Sequence, residues 1–187
     1  MKKYELTSET KIVFGHILYR IKALSSFGYV SAGDLGGFLE SEKNLSQNGN
    51  AWVSGNAWVS GNAEVSGNAE VSGNAWVSGN AEVSGNAWVS GNARVYGNAE
   101  VSGNAEVSEI GAIFWIGAVG SRNDTATFFR CRDGSIKVVC GCFFGNLDEF
   151  AKKVRKTHGD NDHAKVYMLA IDMAKIRIST EKEKTEE

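Results

Sequence analysis

Residues 49–108 read GNAWVSGNAWVSGNAEVSGNAEVSGNAWVSGNAEVSGNAWVSGNARVYGNAEVSGNAEVS, one six-residue unit, Gly-Asn-Ala-x-Val-Ser, written ten times. Its last letter changes once, at Tyr96, and only x varies freely: Trp52, Trp58, Glu64, Glu70, Trp76, Glu82, Trp88, Arg94, Glu100 and Glu106. So short a period cannot form a helical hairpin or a propeller blade, and it matches the hexapeptide pattern of a parallel β-helix. Each letter has a physical role. Valine is β-branched and suits an inward position on a pleated strand. Alanine also points inward, where only a methyl fits between converging faces. Gly-Asn turns the corner, since these two residues best tolerate positive φ. Three corners close a triangular coil of about eighteen residues, and coils stack like parallel strands roughly 4.8 Å apart.

With that coil length, x positions eighteen apart share a wall of the prism. The walls read Trp52-Glu70-Trp88-Glu106, Trp58-Trp76-Arg94 and Glu64-Glu82-Glu100. Lying between an inward alanine and an inward valine, these side chains are expected to point outward. The second wall stacks indoles against a guanidinium, with contacts worth about 0.5–1 kcal/mol each. The third repeats one charge every ~4.8 Å, which costs roughly 0.9 kcal/mol per neighbouring pair at the dielectric of water. Four outward tryptophans are the mark of a contact surface. The tryptophan walls are therefore expected to meet another subunit, the flanks or a partner, and the glutamate wall to stay in water or meet basic groups.

The repeat resembles the hexapeptide-repeat left-handed β-helix proteins over its whole sixty residues. The stretch before it, LYRIKALSSFGYVSAGDLGGFLESEKNLSQNGNAWV (18–53), resembles the start of YdcK-like proteins of phages and bacteria, which carry a transferase label but no established activity. The resemblance implies a left-handed, triangular parallel β-helix, and with an N-terminal β cap and a small C-terminal α+β domain read from the flanks the expected fold is mainly β. Many proteins of the larger group are acyltransferases with a histidine in or near the coils, and others are zinc carbonic anhydrases with several histidines on coil faces. The repeats here contain no histidine and no insertion, so neither activity is expected. The phage-like resemblance suggests a host protein as one partner.

Composition shifts set the boundaries: an N-terminal cap with an irregular first coil (1–48), the repeats (49–108), an α+β domain (109–178) and a charged tail (179–187). KYELT (3–7) and KIVFGHILYRIKAL (11–24) carry strand-forming residues and predict a hairpin or two short strands. EIGAIFWIGAVGS (109–121), TATFFRC (125–131) and SIKVVCGCFF (135–144) read as strands separated by RNDT and RDGS turns. NLDEFAKKVRKTHG has an asparagine cap, an acidic first turn, a basic last turn and a terminal glycine, which together mark a helix. A second helix is expected over 160–178.

The net charge of −2 argues against a general nucleic-acid binder, and no apolar run is long enough to predict a membrane helix or signal peptide. The repeats carry one arginine against five glutamates, while the flanks are nearly neutral. Three cysteines (Cys131, Cys140, Cys142) are too few for a secreted disulfide scaffold, so the expected setting is the cytoplasm. Cys140-Gly141-Cys142 on a strand, with His158 and His163, permits zinc chelation; the plainer alternative is two buried thiols and a histidine closing a helix. Arg122, Asp124, Arg130 and Arg132, near Phe128-Phe129 and Phe143-Phe144, suit an anionic small molecule or a partner, or else a core with solvated arginines. The leading expectation is a non-enzymatic binding or assembly scaffold that associates with itself, without a cofactor. The alternative is a transferase or ligand-sequestering protein with its site in the C-terminal domain.

Overall fold

The computed structural model describes residues 2–178; the charged tail lies outside them. The chain divides into two compact units, residues 1–110 and 111–187.

The first unit is a β-solenoid. Ten two-residue strands, β4 (Trp52–Val53) to β13 (Glu106–Val107), are each the x-Val of one repeat. They pair in parallel with the strand eighteen residues on, Trp52 with Glu70 and Val53 with Val71 for example, which fixes the coil length. The three walls follow as three sheets: β4-β7-β10-β13, β5-β8-β11 and β6-β9-β12. Every repeat valine and every repeat alanine lies buried at 0–1% exposure. Burying a valine contributes on the order of 1.5–3 kcal/mol before chain entropy is subtracted.

The corner works differently from the expectation. Glycine alone takes positive φ, 73° at Gly79 for instance, while none of the repeat asparagines does. Asparagine instead builds ladders along each edge of the prism. Asn62 Nδ2 donates to Asn80 Oδ1 at 3.1 Å, and Asn80 Nδ2 to Asn98 Oδ1 at 2.9 Å. Glycine has a second reason to be there: a Cβ on Gly79 would lie 3.0 Å from both Gly97 N and O.

The preceding segment adds a coil on the N-terminal side. β3 (Leu35–Leu39) sets Phe38 beside Trp58 and Leu39 beside Val59, so these two residues occupy x and Val positions in all but composition. β1 (Tyr4–Val13) and β2 (His16–Ala23) form an antiparallel hairpin, with β2 paired to β3. The segment expected as one strand over 11–24 therefore breaks at Phe14-Gly15. Both turn residues have positive φ, 50° and 85°, the pattern that matches strand twist in a two-residue turn.

Because each coil donates its N–H groups to the next, the first full coil leaves carbonyl oxygens facing the N-terminal end, as any solenoid end must. Cap groups satisfy them. Phe38 N and Glu40 N donate to Ala57 O and Val59 O, each at 3.0 Å. Fully buried Asn44 donates Nδ2 to Gly61 O and Ala63 O at 3.1 and 2.8 Å. Lys3 Nζ donates to Ala51 O at 2.9 Å.

The second unit is a four-stranded antiparallel meander, β14 (Ile113–Val119), β15 (Asp124–Arg130), β16 (Ile136–Cys140) and β17 (Phe143–Asn146). Helices α1 (Leu147–His158) and α2 (Asp162–Arg177) follow. The single strand expected over 135–144 is two strands joined through Gly141-Cys142, because Gly141 takes φ 56°. Asn146 caps α1 by accepting from Glu149 N, and Glu149 reaches back to Asn146 N, a full capping box. The core joins Val119, Ala126, Phe128 and Val138 of the sheet to Phe150, Val154, Tyr167, Ile171 and Ala174 of the helices. Among the described residues no helix is long and apolar enough to cross a membrane.

Candidate functional site

The x side chains of the solenoid point outward but do not share one environment. Trp52 is 2% exposed, covered by Tyr4 and Phe27 at ring-centroid distances of 6.4 and 5.5 Å. Trp58 is 8% exposed, packed with Leu18 and Phe38. Of the three covers expected for the tryptophan walls, another subunit, the flanks or a partner, it is the N-terminal flank that closes off these two. Trp76 is half-buried and Trp88 is 39% exposed. Glu64, Glu82 and Glu100 stand in register on an exposed wall.

The second wall is a column, but an edge-on one. Trp58 and Trp76 meet at 4.9 Å with planes at 84°, and the Arg94 guanidinium lies 5.0 Å from the Trp76 ring. Neighbouring coils are about 4.8 Å apart, enough for an indole to turn its positive edge to the next ring face. Phe14, at the hairpin tip, bridges both indoles at 6.3 and 5.3 Å. Tyr96, the one departure from serine in the repeat, extends the column at 6.4 Å from Trp76. Phe14 as a residue nevertheless remains 78% exposed, and beside it the cross-strand pair Ile12 and Ile17 is also exposed. Trp76 Nε1 is buried with no hydrogen-bond partner among the described residues. Sequence reasoning missed this apolar tip because Phe14 and Ile17 were read within one continuous strand.

In the C-terminal unit a pocket of about 180 Å³ gathers residues from four elements. Arg122 comes from the β14–β15 connection and Asp124 from the start of β15, Cys140 to Phe143 from the β16–β17 turn and the strand residues that flank it, and Tyr167 from α2. From α1 come Phe150, Lys153, Val154, Thr157 and His158, whose spacing puts them on one helical face. Five residues singled out in the sequence thus converge: Arg122, Asp124, Cys140, Cys142 and His158. His163 is adjacent, its ring 5.6 Å from that of His158. Arg130 and Arg132 do not line this pocket; Arg130 is buried in β15 and Arg132 is exposed in the next turn.

The Cys-x-Cys geometry departs from the expectation of two thiols on one strand face. Cys140 ends β16 and is half-buried, while Cys142 sits exposed in the turn. Cys140 Sγ lies 3.7 Å from the Tyr167 hydroxyl. Burial, then the neighbouring Cys140, pushes the Tyr167 phenol well above its ordinary range. Among the described residues no three His, Cys, Asp or Glu side chains come together as a metal cage. Lys153, which sequence reasoning missed and whose one signal was its α1 spacing to Phe150 and Thr157, completes the polar rim.

The family model described as YdcK Beta solenoid repeat matches residues 87–103, within the repeats. No curated protein matches the chain. The parallel coils and this match agree on a β-solenoid repeat protein.

Proposed function

We propose that the protein is a non-enzymatic binding and assembly scaffold of the phage or prophage type, which associates with further copies of itself through its solenoid unit. The observation that carries this reading is the apolar tip of the N-terminal hairpin. Phe14, Ile12 and Ile17 are 78, 73 and 50% exposed beside the half-buried Trp76, side by side at the hairpin tip. Contiguous exposed apolar surface on a soluble unit marks a contact site. Phe14 is also held at φ 50°, a region that costs a bulky residue energy and that tends to persist where function needs it. A second copy is the occupant favoured here, since a hairpin tip beside its own aromatic column offers both halves of a symmetric contact. The exposed Glu64 and Glu82 would meet a basic surface of a host protein, as a second partner. The left-handed sense of the coil belongs to the same proposal and rests on the likeness of the hexapeptide pattern.

Sedimentation of the whole chain and of Phe14→Ser tests it. The wild type should sediment faster than a single chain and Phe14→Ser should revert to one, with unchanged circular dichroism. A wild type that stays a single chain at the highest concentration studied overturns self-association.

A further inference from the structure

We infer that the C-terminal unit binds a small organic anion, a carboxylate or phosphate head on a short apolar body, in the pocket between the β16–β17 turn and α1. The inference is independent of the scaffold reading, because it concerns only the second unit.

Size decides the class of ligand. The pocket of about 180 Å³ holds roughly six waters at ~30 Å³ each, and lies below the ~300–1,000 Å³ usual for drug-sized ligands and cofactors. One ring or a short chain with one charged head matches that volume.

Charge decides the head. Arg122, Lys153 and His158 face the pocket against a single carboxylate, Asp124. Arg122 is held only loosely by that carboxylate, Nη2 to Oδ2 at 3.5 Å, and its side chain is 73% exposed. Guanidinium groups suit the planar two-point binding of carboxylate or phosphate. Lys153 forms no ion pair among the described residues. The Tyr167 hydroxyl stays protonated and can donate.

The walls decide the body. Phe143, Phe150, Val154 and Tyr167 give an apolar floor, with Phe150 edge-on to Tyr167 at 5.4 Å and tilted against Phe143 at 5.1 Å. Two glycines make room for this arrangement. A Cβ on Gly120 would run into the Tyr167 hydroxyl. One on Gly141 would lie 3.3 Å from Asp124 Oδ2 and 3.7 Å from Arg122 Nη1, so the turn backbone lies directly against that ion pair.

Calorimetric titration of the full chain with benzoate, benzamide and inorganic phosphate tests the site. Saturable binding of benzoate but not of its neutral isostere benzamide, weakened at least tenfold in Arg122→Gln/Lys153→Gln, supports a carboxylate site. Saturable phosphate binding with the same dependence and no benzoate binding supports a phosphoryl head. Both altered side chains are exposed, so the variant should keep its melting temperature, and Phe144→Ser, outside the pocket, should bind as the wild type does. No saturable heat from either anion up to ~10 mM, where affinities fall below the useful range, overturns the inference. So does equal binding of benzamide, or a double variant that binds as well as the wild type.

Discussion

The Lys3 ammonium donates a 2.9 Å hydrogen bond to the carbonyl oxygen of Ala51 and approaches Gly49 O at 3.5 Å, so a buried cation closes part of the solenoid's first coil. Its 5% exposure explains why desolvation lowers its pKa from 10.5 to about 8. A folded pKa below the unfolded one means that, between the two, the unfolded chain binds more protons, so stability rises with pH. Lys11, lowered for the same reason, acts in the same direction. Above about 10 the tyrosines reverse the trend, since Tyr4 and Tyr167 are pushed up by burial while unfolded tyrosine ionises there. Denaturant unfolding is expected to show stability rising from pH 8 towards 10. Lys3→Met should flatten most of that rise, since it removes the group whose folded and unfolded pKa values differ. An unchanged slope in the variant would assign it to other groups.

At the corners, neighbouring residues should differ in cost. Gly79→Ala forces a side chain onto φ 73° and places its Cβ 3.0 Å from Gly97 N and O; a loss of about 1–3 kcal/mol is expected. Asn80→Ala removes two exposed ladder bonds, each worth roughly 0.5–1.5 kcal/mol at most and less in water. Thermal melting should therefore rank Gly79→Ala below Asn80→Ala. The reverse order would make the ladder, rather than backbone geometry, the main support of the corner.

How far the sequence speaks for itself follows from these same residues. Period and residue size suffice to place Val77 and Ala75 inside and to put Trp58, Trp76 and Arg94 on one wall, because every coil repeats the same local environment. Asn80 was assigned the wrong task, since Gly79 already supplies the positive φ and the ladder appears only once coils stack. The cover over Trp52 and Trp58 depends on contacts from Tyr4, Leu18, Phe27 and Phe38, which follow no period. Of the pocket, Arg122, Asp124, Cys140, Cys142 and His158 stood out by chemistry. Their meeting depends on the Gly141 turn and the register of the meander, and no local pattern encodes that meeting.

The glutamate wall predicts a salt-dependent gain. Glu82 is in register with Glu64 and Glu100, and each like-charged neighbour at ~4.8 Å opposes folding by roughly 0.9 kcal/mol in water before screening. Glu82→Gln should raise stability by about 0.5–1 kcal/mol at low ionic strength. In 1 M salt, where the screening length falls to about 3 Å, that gain should disappear. A gain that persists in high salt would point to side-chain packing instead of charge.

The two ends of the tryptophan series should now behave oppositely. Trp58 is 8% exposed and sits in a cluster with Leu18 and Phe38, in ring contact with Trp76 at 4.9 Å and Phe14 at 6.3 Å. Trp58→Ala empties that cluster and loosens the hairpin from the wall, so a cost of about 3–5 kcal/mol is expected. Trp88 is 39% exposed, and Trp88→Ala should cost under about 1 kcal/mol, as surface changes usually do. Urea unfolding of both variants separates the roles, and it bears on assembly as well. A double change at Trp58 and Trp76 would destabilise the fold before it reported on any partner, so the exposed Phe14 is the cleaner probe of association. If Trp58→Ala and Trp88→Ala lose equal stability, the N-terminal hairpin does not hold the wall as the packing implies.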